Sequence, residues 1–322
     1  MVFHSKLEEA EVKKEKGVII EEKRMYEDNP RSHVESLFEK ALFGRTSLGR
    51  DIIGTEKSLK NMTREDLWNY YKGSYDVRNS IIGVAGNFKS DINKRIEKYL
   101  NLPEKSGVEK WFNVKNFEKQ PAYKKLPLAK RVIVQTKKTD QVNVLLGFPG
   151  INYYDSRRFV ADILLNILGG GMSSRLFTEI REKRGLAYGI RAEAEGYRDT
   201  GSIYIRTGLD PKRLDEALKT ILAELKKIKK YPVSDMELKN AKSDLIGTLA
   251  LSLENSRVVA MKGMHDTMVG IPVETYEYVS KKINAVTVKQ IQKLAQDIFD
   301  ERQLRLAVIG PVIAKQIIKI IK

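Results

Sequence analysis

Two carboxylates stand side by side in EKGVIIEEKRMYEDNP (15–30). They are Glu21 and Glu22, directly after an apolar run, with Glu15 seven residues before Glu22. Carboxylates move protons or ligate cations, and a separation of seven is close to two helical turns, so Glu15 and Glu22 share one helix face while Glu21 points elsewhere. A catalytic cation needs further ligands. The three histidines, His4, His33 and His265, lie in FHSK, SHVE and MHDT, so no two stand one turn apart to chelate a metal. There is no cysteine, which excludes thiolate metal sites, disulfides and cysteine nucleophiles. The glycines of LGGGMSSRL lack the Lys-Ser/Thr ending of a phosphate loop and the spacing of a dinucleotide site. Their expected role is steric, letting the chain turn closely after a helix over 155–168.

The elements that must position such residues belong to a globular chain. At 322 residues and 42% apolar content it can bury a real core, and no run of eighteen apolar residues crosses a membrane. The amino terminus is charged from the start, so a cytoplasmic protein with no membrane partner is expected. A formal charge of +16 invites a nucleic-acid reading, but much of it is lysine on the solvated face of helices such as KRLDEALKTILAELKKIKK (212–230). No RNA-recognition or zinc-finger pattern accompanies it, and no nucleic acid is expected as a partner.

Two segments align without a gap at an offset of 224, TREDLWNYYKGSYDVRNSIIGVAGNF (63–88) and TVKQIQKLAQDIFDERQLRLAVIGPV (287–312). Each reads as a threonine-capped helix, a polar turn and a short β-branched strand ending at Gly86 or Gly310. LEEAEVKKEKG (7–17) and DMELKNAKSD (235–244) repeat at nearly the same offset. Traced backwards, the later copy holds strands at 131–138 and 141–150, a helix capped by Asp155, strand-like runs IRAEAEG and TGSIYIRTG, and a helix from Pro211 to Lys230. The same offset places the front of the first copy roughly ninety residues before Met1. The expected fold is α+β, an antiparallel sheet with helices packed on one face, in a duplicated domain whose first copy is incomplete. The expected divisions are 1–102 for the back half of the first copy, 103–127 for a linker and 128–322 for a complete second copy.

KGVIIEEKRMYEDNPRSHV, LGRDIIGT, YDVRNSIIGVAGNF and LGGGMSSRLFTEIREKRGLAY occur in this order over nearly the whole chain. Together they closely resemble the pitrilysin/insulinase family of zinc metallopeptidases, the inverzincins, and especially its processing-peptidase branch. The resemblance implies two similar domains facing each other across a chamber. It also implies a catalytic helix carrying HxxEH and a third glutamate ligand downstream. By resemblance, Glu22 matches that third zinc ligand and Glu15 the acidic residue supporting it. HxxEH itself does not occur in this sequence. Zinc is therefore the family's cofactor, and this chain is expected not to bind it alone. In REKRGLAY, Arg181 and Tyr188 match the pair that reaches toward the substrate carbonyl, and both are donors suited to a developing oxyanion. A surface arginine and a core tyrosine are the plainer alternative.

The implied function is a subunit or fragment of a pitrilysin-type zinc metallopeptidase, supplying Arg181 and Tyr188 and inactive alone. Its partners would be a short or unfolded peptide and either an HxxEH-bearing subunit or a second copy. TGSIYIRTG would offer its edge to an extended peptide, or be an ordinary central strand. A non-catalytic structural or peptide-binding protein of the same fold, or a broken-gene product, would carry the same motifs.

Overall fold

A computed structural model describes residues 2–100 and 126–322. Of the expected linker, 103–127, all but Leu126 and Pro127 lies outside these residues. The chain divides into two compact units, neither of them continuous in sequence. The first takes in the described residues of Met1–Arg24, Ile53–Lys119 and Leu249–Thr275; the second takes in those of Met25–Ile52, Gln120–Thr248 and Tyr276–Lys322. The fold thus does not follow the linear limits at 102 and 128, because residues 25–52 pack with the later part of the chain.

The second unit is built on five strands, β1 (Val132–Thr136), β2 (Val142–Pro149), β3 (Ala187–Gly196), β4 (Gly201–Leu209) and β5 (Arg305–Gly310). Their order across the sheet is β1-β5-β2-β4-β3. Three pairings are antiparallel as expected, whereas β1 and β5 run parallel, separated in sequence by the other three strands and most of the helices of this unit.

Alternation along the strands divides the core. Val142, Val144, Leu146 and Phe148 of β2, with Leu306 and Val308 of β5, face one side and bury against Ile163, Leu164, Leu218, Ile221, Ile291 and Leu294. These come from the helices Arg158–Leu165, Leu214–Lys230 and Val288–Ile298. Each such side chain removed from water contributes about 1.5–3 kcal/mol before entropic losses. The opposite face is not left to solvent, contrary to the expectation of helices on one side. Leu145, Ala307 and Ile309 bury against Val34, Phe38, Leu42 and Phe43 of the helix Pro30–Phe43. A sheet whose strands are apolar on both faces requires this second cover.

The same order of elements occurs twice. The helix Glu9–Asp28 is followed by Asn29, which caps Pro30–Phe43 through Arg31 N at 3.0 Å. Asp235–Leu253 is followed by Asn255, which caps Ser256–Val269 through Arg257 N at 2.9 Å. Capping boxes at Thr63/Asp66 and Thr287/Gln290 open the two later helices. The copies part at the strand that follows. Residues 305–310 form β5, but residues 81–85 form no strand. β5 has β1 and β2 to pair with, and residues 81–85 have no ladder partner among the described residues of the first unit.

Candidate functional site

Arg181 lies in a π-helical turn, Phe177–Glu182, and a second π turn, Asn166–Gly170, ends the preceding helix. Such turns are rare and gather at functional sites. The helix expected over 155–168 is therefore shorter, Arg158–Leu165. Asp155 still caps the preceding turn by accepting from Arg157 N at 2.8 Å.

Between the π turns, the glycine loop does the steric work expected of it. A Cβ on Gly169 would stand 2.5 Å from the backbone nitrogen of Ala192, so the helix end lies directly against β3. Ser174 then closes the loop, its hydroxyl donating to Gly171 O at 2.6 Å. Arg175 anchors the start of the next turn through a fork onto Glu237 at 2.6 and 3.0 Å. Burial alone would raise the Glu237 carboxyl, yet the donors of Arg175 and Ser234 hold it at about 2.

From Arg181 the chain reaches Tyr188 through one tight reversal. Gly185 takes φ +57°, its N–H donating to Arg181 O at 3.0 Å, and Leu186 N donates to Ile180 O at 2.8 Å. A glycine suits this reversal because a Cβ disfavours positive φ. The reversal delivers the chain into β3, where the ladder to β4 is irregular between Ala187 and Ile190. The Thr207 hydroxyl, donating to Gly189 O at 3.0 Å, holds this bulge. The bulge re-aims Tyr188, which is 83% exposed rather than packed in the core. The Arg181 guanidinium lies 4.8 Å from the centroid of the Tyr188 ring and 4.9 Å from that of Phe177. The two residues are thus brought together as one donor pair, held by cation–π contact.

They line a groove of about 460 Å³ with Gly169, Gly170, Gly171, Met172 and Phe177 on one side and residues of β2, β3 and β4 on the other. Three further arginines line it, Arg31, Arg191 and Arg206. Sequence reasoning did not single these out, because strand pairing and the docking of Pro30–Phe43 bring them together from distant positions. Arg206 is held by Glu35 at 2.5 Å and Glu193 at 3.4 Å. Near these acids, burial first and then the charges of Glu35 and Glu195 raise the Glu39 carboxyl above its usual range. β3 is the end strand of the sheet on the groove side, whereas β4 is paired on both sides, the central-strand alternative of the two that its sequence left open.

Glu15 and Glu22 stand on the helix Glu9–Asp28, both exposed, in the first unit. Glu21 is paired with Arg24 at 2.8 Å. Among the described residues no three His, Asp or Glu side chains converge to hold a metal ion. Among the described residues, the two exposed carboxylates Glu15 and Glu22 with no third ligand do not fit zinc. No helix among the described residues is long and apolar enough to cross a membrane.

The comparisons with known proteins converge. The family model described as the peptidase M16 inactive domain matches residues 61–245. An uncharacterized zinc protease of Bacillus subtilis is 34% identical over 312 residues, covering 97% of this chain and 73% of the relative. One from Streptomyces coelicolor is 33% identical, covering 98% and 68%. Among solved structures, a peptidase M16 inactive domain from Pseudomonas fluorescens superposes with a TM-score of 0.81 at 20% identity, over 94% of this chain and 71% of that one. A protease from Helicobacter pylori gives 0.80 at 22%, over 94% and 72%. A chain of complex III2 from Candida albicans gives 0.75 at 17%, over 96% and 74%. By the match of residues 61–245 to the family model and the 34% identity to the Bacillus subtilis relative, the chain belongs to the peptidase M16 family.

Proposed function

We propose that this chain is the substrate-polarising part of an M16 zinc metallopeptidase, contributing Arg181 and Tyr188 to a site whose metal motif is carried by a partner polypeptide. The observation that carries this reading is the Arg181–Tyr188 stack at 4.8 Å on the wall of an open groove beside the end strand β3. An extended peptide adds to such an edge through main-chain hydrogen bonds. Its carbonyl then meets two donors, a permanently charged guanidinium and a phenolic hydroxyl, which stabilise negative charge on the oxygen as a nucleophile attacks. The family's zinc would supply the nucleophile, and the partner would hold that metal.

The test is reconstitution with an M16 subunit bearing HxxEH, followed with a quenched fluorescent peptide. The chain alone is expected to be silent. In the complex, Tyr188→Phe and Arg181→Ala should each lower kcat about 10²-fold, with smaller changes in KM. Unchanged kcat in both variants would refute the assignment. The match to a model described as an inactive domain favours one second reading, a non-catalytic peptide-binding protein of the same fold. Peptide capture without cleavage in every such complex would select it.

A further inference from the structure

The groove is lined by four guanidinium groups and no carboxylate, and among the described residues only one of the four is neutralised. Arg191 of β3 and Arg206 of β4 are register partners, so both project from the same face of the sheet. Ile190 and Ala192 belong to the core on the other face, which puts Arg191 on the side covered by Pro30–Phe43, the helix that brings Arg31. Like charges directly opposite one another repel. For Arg206 the protein supplies Glu35 and Glu193. For Arg31 and Arg191, both exposed, no carboxylate partner occurs among the described residues. The amides of Gln141 and Asn143 complete a lining of hydrogen-bonding groups.

We infer that Arg31 and Arg191 form a subsite for an acidic side chain, making this groove selective for extended peptides that carry Glu or Asp. The inference rests on the peptide-binding reading above and deepens it. A strand added along β3 places every second side chain on the Arg191 face, so one residue of the peptide comes opposite the free guanidinium. Guanidinium binds carboxylate through paired N–H donors, roughly twice as strongly as neutral hydrogen bonds. Arg181 remains with the carbonyl, and Arg206 with its own acids.

The experiment is fluorescence anisotropy of the full chain with short labelled peptides of alternating Ala and Val, identical except for a central Glu, Gln or Lys. The Glu peptide should bind about tenfold more tightly than the Gln peptide near physiological salt, and the Lys peptide most weakly. Arg31→Gln and Arg191→Gln, on two different elements, should each cut the Glu/Gln ratio about threefold, and together abolish it, with affinity for the Gln peptide retained. Arg302→Gln, remote from the groove, should preserve the ratio. Thermal melts of each variant verify folding.

Equal binding of the Glu and Gln peptides would overturn the acidic subsite and leave the peptide-binding reading standing. A ratio that survives the double variant would assign the preference to the overall charge of +16 and overturn it as well. Binding of no peptide would remove both readings. Displacement of the Glu peptide by a single-stranded oligonucleotide at lower concentration than unlabelled Glu peptide, dependent on Arg191, would make the site one for phosphate instead.

Discussion

At the scale of single residues, Arg181 and Tyr188 could be singled out from their motif, but the contact between them could not. Spacing alone does not reveal a bulge that turns Tyr188 outward, nor a π turn that lays Arg181 across its ring. Glu15 and Glu22 show the reverse: their spacing correctly puts them on one helix, yet no further ligand joins them among the described residues. The Arg175–Glu237 fork leads to a pH prediction. Glu237 is held at about 2 against an ordinary value of 4.5, so the folded state binds fewer protons than the unfolded state between these values. Its contribution is fully present above that window and is lost as pH falls through it. After allowance for partial exposure, Arg175→Ala should cost about 1–2 kcal/mol at neutral pH and flatten the acid side of the stability curve, read by urea denaturation from about pH 7 down to about pH 3. An acid limb identical to that of the unmodified chain would show that the fork does not hold the carboxylate down. Glu179, held at about 2 by Lys183 and Arg184, sharpens the same limb in both proteins.

At the scale of elements, local signals carried far. The strands at 132–136, 142–149 and 305–310 follow β-branched runs, and the threonine caps open helices where expected. What failed was tertiary. Nothing in PRSHVESLFEKALF states that its apolar face belongs to strands more than a hundred residues later, and nothing in TGSIYIRTG shows whether it lies at an edge. Residues 81–85 have strand-forming composition but no ladder, because β structure needs a neighbour as well as propensity. The contact of Gly169 with β3 is an element-level constraint. Gly169→Ala sets a methyl against backbone that cannot yield as a flexible side chain would, so the helix end and β3 must separate. An overpacking cost of about 2 kcal/mol and a fall in Tm of roughly 5 °C are expected by calorimetry. An unchanged Tm would mean that the loop relaxes freely.

At the scale of the whole molecule, the two units should differ in resistance to opening. The second has a sheet covered on both faces, with β2, β4 and β5 fully laddered. Among the described residues, the first consists of helices and an unladdered segment, with no strand. Hydrogen exchange read by mass spectrometry should find the slowest amides in β2, β4 and β5 and fast exchange at 81–85. Comparable protection of both regions would contradict this account of the first unit.

The strand order also has a consequence for synthesis. β5, the last strand to be translated, sits between β1 and β2. A ribosome that has delivered the first four strands has therefore produced β1 with no neighbour and β2 with one bare edge. Pro30–Phe43, translated long before, also lacks half its seat until Ala307 and Ile309 emerge. From the emergence of β1 until that of β5, the nascent chain thus carries an apolar helix and open strand edges, the stage at which a holding chaperone has most to protect.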